Sequence, residues 1–276
     1  MSATFALPSP NNDWFNLKQL RRDEPLFAIV GLLLALITPL FLLAGQFDDR
    51  LHLGIDNWDK PAKFAVALSI YLLTLAFFAH YLPASFRLKT GYKIYSASVV
   101  FAIIAEIIWI GGAAAFGTSS HFNTEIPALA AIYPVMGAFA TLLTSASAVY
   151  AYQIHRNKTT ELPPVIKSAL VAGLGLTLPL TLMTAGTMSG LNSHAVGGTG
   201  LDINSVTLIG WLRDAGDLRV GHFFATHALH GIPIAGLASY FIFGANKIWP
   251  VLVFSGLYAA FVVFTFVQAL QGVPFL

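Results

Sequence analysis

Apolar runs of membrane length recur seven times along the chain, at about 26–43, 61–81, 94–116, 126–152, 166–187, 222–243 and 251–270, with polar connections between them. Each lies near the roughly 20 residues that a helix needs to cross hydrocarbon, and none alternates with the period of a barrel strand. Their internal Gly and Pro are tolerable in a membrane because neighbouring helices re-satisfy the backbone. The pattern predicts an all-α polytopic membrane protein, a seven-transmembrane helix bundle. Residues 1–25 form a polar leading segment and residues 26–276 a single membrane domain. The leading segment carries Trp14, Phe15, Lys18, Arg21 and Arg22, and with the run that follows it is too long and too poorly terminated for a cleaved signal peptide.

Alternating the connections across the membrane sorts the basic residues. One side receives Lys18, Arg21, Arg22, Arg87, Lys89, Lys93, Arg156, Lys158, Lys167 and Lys247, and the other Arg50, Lys60, Lys63, Arg213 and Arg219, ten against five. By the positive-inside rule the N-terminus is expected in the cytoplasm and the C-terminus outside, as in a bacterial inner membrane. Asp48, Asp49, Asp56, Asp59, Glu125, Asp202, Asp214 and Asp217 then all fall on the external side. The longest connection, about 188–220, is external and reads as a lid or interfacial segment. Its Gly197, Gly198 and Gly200 lack the preceding strand and following Gly-Lys-Ser/Thr of a phosphate loop, so a turn is expected there.

Composition agrees with a membrane protein. Of 276 residues, 56% are hydrophobic and 10% charged, with a formal charge of +2. Charge is scarce rather than one-sided, so nucleic acid is excluded as a natural partner and membrane lipid is expected. The absence of Cys removes disulfides, thiolate metal sites, covalently attached haem and cysteine nucleophiles. Eight His against thirteen carboxylates is the anomaly.

Three of those histidines crowd the sixth run: His222, His227 and His230. On one helix they lie within about 12 Å along the axis. His227 and His230 share a face; at about 100° per residue, His222 is offset by roughly 140° from the first and about 80° from the second. Glu106, alone in the third run, should face the bundle, since a lone carboxylate in lipid is costly. By depth it can share a layer with His227. His121, in the polar Gly117–Glu125 connection, can fold toward the same outer half, with Ser120 or Asn123 capping the next helix. Lys60 and Lys63 open the second run. They either snorkel, with Asp59 and Lys63 spaced for an ion pair, or hold an anionic head group or cofactor propionate. Gln268 can add a further polar group. His80 and His155 fall at the opposite boundary, and His52 and His194 in external loops.

These residues point first to redox chemistry. His121, His222, His227 and His230 form the expected ligand pool for haem b or for directly bound iron, copper or zinc, with Lys60 and Lys63 assisting cofactor binding. Glu106 and His121 are the expected catalytic pair. Phe122, Phe223, Phe224 and Trp109 supply aromatic walls. The expected activity is electron transfer or oxidation of a small or lipophilic substrate such as a quinone. Two alternatives use the same residues: a proton-coupled transporter relaying through Glu106 and His, and a zinc-dependent membrane hydrolase. In span count the chain resembles the membrane zinc hydrolases that include alkaline ceramidases, but their carboxylate and His-x-x-x-His arrangement does not map onto it. A retinal Schiff base is disfavoured because the last run lacks Lys.

Overall fold

The structure, a computed structural model, describes residues 17–276 except 53, 124–125, 161, 199–204 and 207–208. Trp14, Phe15, Glu125, Gly200, Asp202 and Leu208 lie outside the described residues. In chain order the helices are α1 (Leu17–Asp23), α2 (Pro25–Gly45), α3 (Asp59–Phe78), α4 (Ala84–Arg87), α5 (Thr90–Ala115), α6 (Pro127–Arg156), α7 (Pro164–Leu191), α8 (Leu218–Thr226), α9 (Ala228–Phe243) and α10 (Trp249–Leu270). Among the described residues α2, α3, α5, α6, α7 and α10 are long and apolar enough to cross a membrane. The chain is an all-α membrane protein. Two short antiparallel ribbons decorate its connections: β1 (Leu51–His52) with β2 (Ile55–Asp56), and β3 (Ala195–Val196) with β4 (Gly216–Asp217).

Small residues set the closest approaches. A Cβ on Gly31 of α2 would meet Leu73 of α3 at 2.9 Å, and Ser69 Oγ donates to the Gly31 carbonyl at 2.7 Å. This is close packing plus an interhelical hydrogen bond, the combination that holds helices together where lipid removes the hydrophobic drive. On the other side of the molecule a Cβ on Gly236 of α9 would lie 2.2 Å from the Ala169 Cβ of α7. The buried stripe of α5 runs Tyr92, Ser96, Val99, Ile103, Glu106, Ile110 and Ala113, alternating steps of four and three that keep one face toward its neighbours.

The expected sixth span is divided. α8 and α9 stand end to end with His227 between them, at φ −91° and ψ 3°. The backbone there tightens: the His230 N–H donates to the His227 carbonyl at 3.0 Å, a three-residue step. Pro233, six residues on, contributes no N–H and so withdraws the donor due to the Leu229 carbonyl. Helix α6 is uneven. From 127 to 141 it buries only Met136, whereas Thr144, Ala146, Ser147, Tyr150, Ala151 and Ile154 are all buried in its second half.

Candidate functional site

The start of α8 is clamped from the loop side. Asp217, its N-cap, accepts from the Arg219 and Leu212 backbone N–H groups at 2.9 and 3.0 Å and pairs with the Arg219 guanidinium at 2.8 Å. Arg219 Nη2 also donates to the Gly210 carbonyl at 2.6 Å. These contacts fix the depth at which the histidines enter. The turn expected nearby is present, with positive φ at Gly197 and Gly198. Of the apolar end of that connection, Trp211 and Leu212 are buried.

Each of the three clustered imidazoles has one nitrogen held. His227 Nδ1 lies 2.7 Å from the Phe223 carbonyl. A carbonyl only accepts, so Nδ1 carries the hydrogen and Nε2 of the neutral ring is a lone pair. The ring stacks on Phe223 at 4.0 Å between centroids and stands 5.6 Å from the His230 ring. His222 Nδ1 meets Thr184 Oγ1 of α7 at 3.0 Å. That hydroxyl also lies 3.0 Å from the Leu180 carbonyl. When it donates there, it accepts from Nδ1–H and leaves His222 Nε2 as a second lone pair. His230 is turned the other way, Nε2 on Thr74 Oγ1 of α3 at 3.0 Å, with Nδ1 buried and without a hydrogen-bond partner.

A second group gathers at the junction of α3, α5 and the connection to α6. Lys60 Nζ donates to His121 Nδ1 at 3.3 Å, and Ser120 Oγ lies 3.0 Å from the same nitrogen. Burial, with the Lys60 charge beside it, holds His121 well below the ordinary histidine range, so the ring is neutral with Nε2 carrying its hydrogen. Phe64 and Tyr133 flank it at 5.9 and 5.7 Å, and Trp109 Nε1 donates to the Ser120 carbonyl at 2.8 Å. The Lys60 charge also reaches Glu106. Both Glu106 carboxyl oxygens are buried without a hydrogen-bond partner.

The structure thus bonds His121 to Lys60, whose charge reaches Glu106, and groups His222, His227 and His230 separately. Helix α3 serves both, through Lys60 and Thr74, which are about 21 Å apart along its axis at 1.5 Å per residue. No described hydrogen bond or ring contact joins the two groups directly. Lys63 pairs with Asp59 at 2.6 Å, as its spacing suggested. Lys60 turns to His121 instead. Asn123 accepts from the Ile126 N–H at 3.0 Å, in the turn before α6, while Ser120 is taken up with His121. Gln268 donates to the Pro274 carbonyl at 2.8 Å and so ties down the chain end. His80 bonds to Asp23 at 3.0 Å, past the end of α3 opposite Lys60, and His155 sits in the last turn of α6. His52 lies in β1, and the His194 carbonyl accepts from Leu218 N–H at 2.9 Å at the head of α8.

Sequence reasoning missed a third polar group, at the N-terminal end of α2. Glu24 accepts from Tyr92 and, at 2.7 Å, from Ser96 of α5; Tyr92 in turn meets Tyr150 of α6 at 2.8 Å. Burial raises the Glu24 carboxyl above its ordinary range, against the opposing effect of those donors. Beside it Asp23 takes Arg87 at 2.5 Å, Arg22 at 3.2 Å and His80. Burial acts to raise Asp23, but these donors outweigh it and hold the carboxyl below its ordinary range. The available signal was an acidic pair directly ahead of Pro25, with Tyr92 just ahead of the third run and Tyr150 near the end of the fourth.

Among the described residues no three of His, Asp or Glu are grouped so as to hold a metal ion. No family model, curated protein or solved structure matches the chain.

Proposed function

We propose that the protein is an integral-membrane redox protein whose α8–α9 histidines ligate a haem or a transition metal, for electron transfer or for oxidation of a small or lipophilic substrate. The observation that carries this reading is the His227 imidazole. Its Nδ1–H is fixed on a backbone carbonyl, and its Nε2 is left as a lone pair without a described partner. This is the outer-shell arrangement that orients a ligating histidine and raises its basicity. His222 on Thr184 repeats it one and a half turns away. A macrocycle asks for only one or two axial nitrogens, whereas a bare zinc site asks for three protein ligands to converge, so the geometry favours haem over a tri-histidine ion.

The proposal includes a seventh crossing, formed by α8 and α9 together, with the N-terminus cytoplasmic, the C-terminus external and the protein in a bacterial inner membrane. The end-to-end arrangement of the two helices and the distribution of Lys and Arg support it.

Metal analysis combined with a visible spectrum of gently purified protein tests the reading. Near-stoichiometric iron with a Soret band is expected, and His227→Ala should lose most of it. His230→Ala, with Nε2 on Thr74, should lose less. Metal-free, colourless protein overturns the proposal. One observation favours a second reading, proton-coupled transport: buried Glu106 lies in charge range of half-buried Lys60 without a described hydrogen bond between them. That reading requires acidification of loaded proteoliposomes to drive solute movement, and Glu106→Gln to abolish it.

A further inference from the structure

Glu106 has no task in holding a cofactor on α8. It occupies a core position of α5 between Ile103 and Ile110, where an aliphatic residue would pack without penalty. Yet it is buried, and neither oxygen has a hydrogen-bond partner among the described residues. A buried carboxyl without a hydrogen-bond partner is among the more costly features a membrane helix can carry, and in its ionised form the partner it calls for is a donor. A second cation is a poor candidate, because Lys60 already places a positive charge within range and would repel it. A neutral hydroxyl meets no such repulsion.

The surroundings narrow the ligand further. On the Lys60 side, neutral His121 offers Nε2–H, so the place holds an acceptor and a donor together. Phe64 and Tyr133 are half-buried rings against His121, and half-buried Trp109 is held on the Ser120 carbonyl next to it. The adjoining half of α6 buries only Met136 from 127 to 141, which leaves that flank open toward lipid. A flat ring with a hydroxyl at one end, an oxygen at the other and an apolar tail carries the complementary groups.

We propose that Glu106, Lys60 and His121 form the head-group site of a lipid-borne quinol, with one phenolic hydroxyl donating to Glu106 and the opposite oxygen accepting from His121 or Lys60. The use made of the quinol rests on the redox reading above; the binding site rests on its own residues.

The test uses the full chain in lipid nanodiscs titrated with decylubiquinol under anaerobic conditions, read as quenching of tryptophan fluorescence. Saturable quenching is expected, with affinity reduced at least about tenfold in Glu106→Gln, the loss typical of a hydrogen bond to a charged group. The dimethyl ether of the same quinol, which has no hydroxyl to donate, should bind the unaltered protein about as weakly as the quinol binds the variant. That arm needs no variant to fold. Absent saturation, equal affinity for quinol and ether, or tighter binding of decylammonium than of the quinol each overturns the proposal. Coloured protein that does not bind quinol would sink this site and leave the cofactor reading standing. Colourless protein that binds it would do the reverse.

Discussion

Glu24 and Glu106 are equally buried, each 4% exposed, and they stand in opposite conditions. Around Glu24 the structure supplies two hydroxyl donors, a third hydroxyl behind them, and the tightly packed second half of α6. Around Glu106 the described residues supply one cation within charge range, no hydrogen bond, and the loosely packed first half of the same helix. A satisfied buried acid rigidifies a core; an unsatisfied one subtracts stability and persists where something else uses it. The two regions are thereby distinguished, one with its buried acid satisfied and the other with its buried acid left over.

The largest expected effect on that contrast is a difference of sign. Glu24→Leu should lower the apparent Tm in detergent sharply, because it leaves Tyr92 and Ser96 without their acceptor at about 1–3 kcal/mol for each group. Glu106→Leu should raise it, by removing a buried polar group that has no partner to lose. A fall in both variants would break the comparison.

Next in size is Tyr92→Phe. It removes one donor from Glu24 and the partner of Tyr150, and should destabilise by about 1–3 kcal/mol while leaving decylubiquinol binding unchanged. A parallel loss of binding would show that the two ends are not independent.

A pH series sharpens the structural end. Asp23 is held below its ordinary range in the folded protein, so its contribution to stability is present above its unfolded value and is lost as pH falls through the folded one. Apparent Tm should therefore drop on acidification below about pH 4, near the unfolded Asp value, and Arg87→Ala should flatten that drop by removing the largest of the donors. An unchanged profile in the variant would refute the assignment. The smallest expected change is Thr74→Val, about 1 kcal/mol from one lost hydrogen bond to His230, with its clearest signature in the cofactor spectrum rather than the Tm.

Membrane character and six of the seven apolar segments could be read from the chain, because continuous apolar runs leave helix as the available spanning structure among lipids. The division at His227 could not. His222 to Gly231 reads as helix throughout, and the break depends on a backbone turn shared among Phe223, His227 and His230. The candidate residues were legible by type and depth, since a rare polar residue in an apolar run is conspicuous. Their grouping was not. Glu106 and His121 were expected beside His227 and His230, whereas the structure gathers them around Lys60, and it gives His230 to Thr74, 156 positions away. Glu24 was hidden because an acid ahead of Pro25 looks like part of a solvated leading segment.

The sequence by itself determined that this chain forms apolar helices and that a few histidines and one carboxylate lie among them. Hydropathy and spacing act along a single helix, where rise and turn per residue are constant. Tertiary structure alone decided which polar groups are spent on one another and which are left over. That outcome depends on how helices rotate and approach at small residues such as Gly31 and Gly236, and those contacts are made between segments far apart in the chain.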